Sequence, residues 1–217
     1  MVHPAALAGI ALVALGLVLT PGPNMIYLVS RTLTQGRRAG LVSLLGVAVG
    51  FLIYLTAAAL GLAAVFTAVP AAYTALKLAG AAYLLYLAWQ SLRPGGAVVF
   101  APEPSSLAPP PDRGRRLFAM GLVTNLLNPK IAVLYVALLP QFVDPALGSV
   151  ATQSLLLGAV QIGIALTVNA LIVLSAARLA ALIGHRPGWL RAQRYVMGGV
   201  LSALAVRLLL TDRARPA

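Results

Sequence analysis

Apolar residues fill this chain in six long blocks, at residues 4–29, 40–69, 71–92, 117–143, 150–177 and 195–210, with nearly all of the charge collected between them. Most blocks hold the roughly 20 residues that an α-helix needs to cross a hydrocarbon core of about 30 Å. The pattern predicts an all-α integral membrane protein with six transmembrane helices. Two of the blocks are interrupted. The first contains "LVLTPGPNMIYLV", in which Thr20, Pro21, Gly22, Pro23 and Asn24 break an otherwise continuous apolar run; the fourth contains Asn125, Leu126, Leu127, Asn128, Pro129 and Lys130.

Composition agrees with the pattern: 60% of residues are hydrophobic and 9% charged, with a mean hydropathy of +0.93, outside the range of a soluble domain of this length. The first block lacks the basic n-region of a signal peptide, since "MVHP" carries no Lys or Arg, and it is expected to be a retained span. A net charge of +12 would suggest nucleic acid in a soluble protein, but these arginines lie at the ends of apolar blocks. Arg31, Arg37 and Arg38 fill the first connection; Arg93, Arg113, Arg115 and Arg116 flank the third; Arg178, Arg186, Arg191 and Arg194 fill the fifth. The second and fourth connections carry no Lys or Arg. By the positive-inside rule the odd connections are cytoplasmic and both termini external, although Arg213 and Arg215 fit that poorly and leave the side of the C-terminus open.

Residues 93–116 form the one linker-like segment, rich in Pro, Gly and charge. It divides a single domain, residues 1–217, into repeat one at residues 4–93 and repeat two at 115–210, joined by a cytoplasmic connection at 94–114. Three spans in each half would place the halves in opposite orientation, the inverted-repeat plan of many secondary transporters. "GLVLTPGPNMIYLV" can be laid on "GLVTNLLNPKIAVLYV", each with a Pro-containing break, and "KLAGAAYLLYLAWQSLR" on "RYVMGGVLSALAVRLLL". The expected architecture is two inverted three-helix repeats with broken helices in spans 1 and 4.

The breaks are where chemistry is expected. Prolines leave carbonyls without partners at a depth where water is scarce, which is unfavourable unless something uses them. One reading is a Pro kink stabilised by neighbouring helices. The other is a discontinuous helix whose freed N–H groups and positive N-terminus face a ligand carboxylate, with Thr20 and Asn24 supplying side-chain hydrogen bonds. Lys130 stands roughly 20 Å along its helix axis, too deep for easy snorkelling, and either belongs to a substrate pathway or forms a structural pair. Lys77 is open between the site and the outer interface. Gln161 and Asn169 hydrogen-bond between helices or line the cavity. Gly46 and Gly50 match a small-xxx-small helix contact. His3 and His185 lie in terminal or loop sequence and carry no expected chemistry.

All four acids, Glu103, Asp112, Asp144 and Asp212, fall outside the apolar blocks, which excludes intramembrane hydrolysis by paired aspartates and a buried carboxylate relay. Cysteine is absent and so is a Gly-Lys-Ser/Thr phosphate loop, which excludes thiol chemistry and ATP-driven transport by this chain. No enzyme activity, metal or cofactor is expected.

Read in order, "TPGPNMIYLV", "KLAGAAYLLYLAWQSLR" and "NPKIAVLYVALLPQFVDP" resemble the LysE/RhtB family of bacterial amino-acid exporters, over nearly the whole chain. The resemblance implies a multi-pass exporter of amino acids or related small metabolites in the bacterial cytoplasmic (inner) membrane, driven by the proton-motive force. It places Thr20, Pro21, Gly22, Pro23 and Asn24 in a first motif, Lys77, Gly80 and Tyr83 in a second, and Asn128, Pro129, Lys130, Pro140 and Gln141 in a third. The expected substrate-binding set is Thr20, Pro21, Gly22, Pro23, Asn24, Lys77, Asn125, Asn128, Pro129 and Lys130. Some relatives carry an acid in the second span; this chain has none, which argues against dibasic substrates. The expected partners are a small-molecule substrate and the lipid bilayer, not nucleic acid, and a homodimer is the oligomer to test. The rival reading is a non-transporting membrane subunit or scaffold whose polar breaks serve assembly.

Overall fold

The computed structural model describes residues 2–68, 70–93, 112–183 and 187–210, and these are helical with no strand. The connection at residues 94–111 and Arg186, Arg213 and Arg215 lie outside the described residues. Helix α1 (Pro4–Leu19) is followed by α2 (Pro23–Gln35), α3 (Arg37–Ala68) and α4 (Pro70–Leu92). Beyond the connection come α5 (Gly114–Leu126), α6 (Pro129–Val133), a π-helical turn (Leu134–Leu138) and two 3-10 turns (Leu139–Phe142 and Pro145–Leu147). Helices α7 (Val150–Ile183) and α8 (Pro187–Leu210) are the last of the described elements.

Proline sets most of these boundaries. A residue before proline is pushed out of the helical region, and proline itself is well placed at the first helical position. Thr20 accordingly leaves the helix at φ −78°, ψ 117°, ahead of Pro21, and Pro23 opens α2. Asn128 is extended at φ −81°, ψ 107°, ahead of Pro129, which opens α6. The axes bend by 51° at the first break and by 49° at the second. Pro140 has no N–H to return to the preceding turn, and the helix changes pitch from π to 3-10 immediately before it. Gly36, at φ 86°, supplies the left-handed residue that ends α2 and lets α3 start at once.

Among the described residues, Arg37–Gly61 and Val150–Arg178 are each long and apolar enough to cross a membrane, and the two bent pairs raise the number to four if each is one span. Leucines such as Leu12, Leu60 and Leu156 stand exposed on the exterior, the surface expected of a chain surrounded by lipid.

Helix α3 packs on α5 and α7, α4 on α8, and α1 on α7. The α3–α5 seam is a main-chain contact. A Cβ on Gly46 would collide with the carbonyl of Phe118, and a Cβ on Gly121 with the carbonyl of Ser43. The Gly46/Gly50 contact expected from the sequence is therefore made, with α5 as its partner. At the end of this seam Asp112 ties α2 to the start of α5. Its carboxylate accepts from Arg31 and Arg116 at 2.9 Å each and from Gln35 Nε2 at 2.9 Å, while Gln35 Oε1 accepts from the Asp112 N–H at 2.8 Å. The Gln35 hydrogen bond, with the Arg116 and Arg31 charges behind it, holds the Asp112 carboxyl below the ordinary carboxylate range against the opposing effect of desolvation.

Candidate functional site

The first break leaves carbonyls without their helical partners. In a continuous helix Leu17 O would accept from residue 21, but Pro21 has no N–H, and the chain has left the helix before Thr20 O could accept from residue 24. Both carbonyls are filled from the other break: Lys130 Nζ donates to Leu17 O at 2.9 Å and to Thr20 O at 2.6 Å. An ammonium at a helix C-terminus also meets the negative end of the helix dipole. Lys130 is 6% exposed. It starts from α6, whose first turn is fixed by Asn128 Oδ1 accepting from the Lys130 N–H at 3.1 Å.

Gly22 provides the room. A Cβ there would lie 2.9 Å from both Cε and Nζ of Lys130. Its φ of −166° suits any residue, so space rather than backbone freedom is what the glycine supplies. Helix α2 then starts without a side-chain cap, and the N–H groups of its first turn have no carbonyl one turn back to donate to. Thr20 Oγ1 donates one turn back to Gly16 O at 2.6 Å.

A cavity of about 30 Å³ lies where these elements meet, room for about one water. Thr20, Asn24, Asn128, Lys130, Gln161 and Asn169 contribute its polar wall, and Leu17, Met25, Phe51, Ile131 and Leu134 its apolar wall. Asn24 Oδ1 is buried and has no partner. Among the described residues, no Asp or Glu lines the cavity. Behind Gln161 stands a group that the sequence pattern does not single out. Tyr135 OH donates to Gln161 Oε1 at 2.6 Å, and its ring stacks on Tyr54 with centroids 5.6 Å apart. Tyr54 OH donates to Leu126 O at 2.8 Å, satisfying the C-terminus of α5 as Lys130 does that of α1.

Of the residues expected from the sequence, the structure brings Thr20, Gly22, Asn24, Asn128 and Lys130 together around the cavity, with Pro21, Pro23 and Pro129 shaping the backbone. Asn125 is not on its wall: it is fully buried against Gly50 of α3, and neither of its amide atoms has a partner. Lys77 falls on α4, and its side chain lies outside the described residues. Gly80 of α4 faces Ala137 of the π-helical turn and Gln141 Nε2 donates back to Ala137 O, so these motif positions serve the packing around that turn. Gln161 and Asn169, left open between two roles, do line the cavity.

The model of the family described as LysE type translocator matches residues 15–212. A homoserine/homoserine lactone efflux protein of Salmonella typhimurium is 35% identical over 167 residues, 77% of this chain and 78% of its own length. An uncharacterized membrane protein of Pseudomonas aeruginosa is 27% identical over 194 residues, 86% of this chain and 83% of its own. No solved structure is significantly similar.

Proposed function

This chain belongs to the LysE type translocator family, and on that premise we propose that it exports amino acids or related small metabolites across the bacterial cytoplasmic membrane, driven by the proton-motive force. One observation carries the reading: the two proline breaks converge on a single cavity, and a buried lysine from one break fills the orphan carbonyls of the other. A packing kink needs no cavity and no ammonium. A scaffold reading would be favoured by breaks packed dry against each other.

At about 30 Å³ the cavity is too small for an amino acid, so the proposed cycle requires it to widen. A substrate carboxylate competes with Leu17 O and Thr20 O for the Lys130 ammonium and accepts from the uncapped N–H groups of α2. Thr20, Gly22, Asn24, Asn128 and Lys130 form this site, and Lys130 is the group that exchanges a proton with it. The chain works as one domain of six spans in two inverted halves, with the odd connections cytoplasmic. Homoserine is the first substrate to test, because the Salmonella relatives are named for its efflux. Counterflow in proteoliposomes, with homoserine and a panel of other amino acids, decides the matter: saturable exchange of at least one is expected, and none would remove the export reading.

A further inference from the structure

We infer that Asn24 and Asn169 form the subsite for the ammonium group of a zwitterionic substrate, in the cavity that holds Lys130; this rests on the export reading above. An amino acid brings two opposite charges into the site. Lys130 and the start of α2 suit the carboxylate. The ammonium offers three N–H donors and needs acceptors. Among the described residues the cavity wall has no Asp or Glu, so the acceptors it offers are neutral oxygens.

Four amides line the cavity, and their existing bonds decide which end each presents; Asn128 Oδ1 is already taken by the Lys130 N–H, which leaves Nδ2. Asn169 is 3% exposed, and its Nδ2 donates to Ala165 O one turn back at 2.8 Å. Only the nitrogen of an amide can donate to a carbonyl, so Oδ1 is the end that remains. Asn24 is 6% exposed, and its Oδ1 is buried without a partner, an unfavourable state for an amide oxygen that a donor from the substrate would relieve. Gln161 is the reverse: Tyr135 OH takes its Oε1, leaving Nε2, a donor that suits a substrate hydroxyl or carbonyl. The Asn24 and Asn169 oxygens, with the Gln161 and Asn128 amide nitrogens as donors, are thus left for a ligand whose carboxylate is drawn toward Lys130. Two neutral oxygens match one ammonium and do not compensate a second full positive charge, so the site takes monoamino acids with small neutral side chains and disfavours dibasic ones.

Counterflow of homoserine in proteoliposomes tests the assignment with Asn24→Leu and Asn169→Leu, near-isosteric changes that delete the amide, beside Asn24→Asp and Asn169→Asp, which keep an oxygen. The Leu variants are expected to raise the homoserine KM by about tenfold or more, the scale of one lost bond to a charged group. Competition by 4-hydroxybutanoate, which lacks the ammonium, is expected to be unchanged. Leu variants with the wild-type KM, or equal losses for homoserine and its des-amino analogue, overturn the subsite while leaving export standing. Should the Leu variants fail to reach the membrane, the Asp variants carry the test: a carboxylate at an ammonium subsite tightens homoserine and admits lysine, whereas at a packing or carboxylate-binding position it abolishes exchange and overturns the assignment. A wild-type protein that exchanges no amino acid removes the export reading, and the subsite with it.

Discussion

Gly22→Ala isolates the contact between the two breaks. The backbone at φ −166° accepts alanine without strain, and the atoms nearest the added Cβ all belong to Lys130: Cε and Nζ at 2.9 Å and Cδ at 3.5 Å. Ordinary carbon contacts begin near about 3.5 Å, so the tip of the lysine must retreat by roughly 0.5 Å or more. That stretches the bonds to Thr20 O and Leu17 O, now 2.6 and 2.9 Å, toward lengths at which they contribute little. Bonds to a charged donor are worth about 1.5–3 kcal/mol each, and partial retention gives an expected destabilisation of about 1–3 kcal/mol. The assay is a double-mutant cycle with Lys130→Ala, read by thermal or denaturant unfolding in detergent and by counterflow. In the Lys130→Ala background the added methyl no longer meets the lysine tip, and Gly22→Ala is expected to change stability by less than about 0.5 kcal/mol. Equal effects of Gly22→Ala in both backgrounds would refute the reasoning, since the cost would then not pass through the lysine.

The remaining predictions concern coupling, the ends of the helices and the membrane. Lys130→Ala is expected to reach the membrane folded and abolish export, and Lys130→Arg to bind substrate without proton-coupled transport because a guanidinium does not deprotonate; equal pH dependence in wild type and the Arg variant would remove Lys130 from coupling. Asp112 has a lowered pKa, so its contribution is present above the ordinary carboxylate range and is lost as pH falls through the lowered value; Asp112→Asn should reduce thermal stability at neutral pH and flatten the decline on acidification, as melting curves against pH will show. Gly121→Ala is expected to cost about 1–3 kcal/mol or prevent folding, because its Cβ meets the Ser43 carbonyl, whereas Gly61→Ala, with nothing within 4 Å, should be neutral or slightly stabilising in the same unfolding assay. Introduced cysteines at residues 94–114 and 179–193 should label from the cytoplasm and those near 70 and 145 from outside; labelling of residue 105 from outside intact cells would reverse the orientation.

The breaks were legible in the sequence because proline acts locally: Pro21, Pro23 and Pro129 remove donors and constrain the residue before them wherever they occur. The depth of Lys130 in its apolar block was legible for the same reason, since counting residues along a helix needs no tertiary information. What Lys130 touches was not. Its partners are carbonyls 110 and 113 positions away in the chain, and a backbone oxygen carries no residue type that a sequence could display. Asn125 and Asn128 read alike, yet Asn128 caps α6 beside the cavity while Asn125 turns to Gly50, because the break between them rotates one amide away from the other. Gln161 and Asn169 lie in a helix apolar on nearly every side, where periodicity does not distinguish a cavity from a helix contact. The stacked Tyr54 and Tyr135 look like core aromatics until the Gln161 oxygen is seen to need a donor.

The glycine seam between α3 and α5 bears on mechanics. These helices lie on opposite sides of the connection at residues 94–111, and backbone meeting backbone at Gly46 and Gly121 leaves no side-chain layer between them to deform. A second crossing between the same portions of the chain is made by α4 with α8. The two portions are thus riveted together rather than free to rock like opposing jaws. Any opening of the cavity is then left to the breaks themselves, at residues 20–22 and at Leu127 and Asn128, while α2 stays tied to the start of α5 through Asp112. Lys130 pins one break to the other, and withdrawing it from the α1 carbonyls would release that contact.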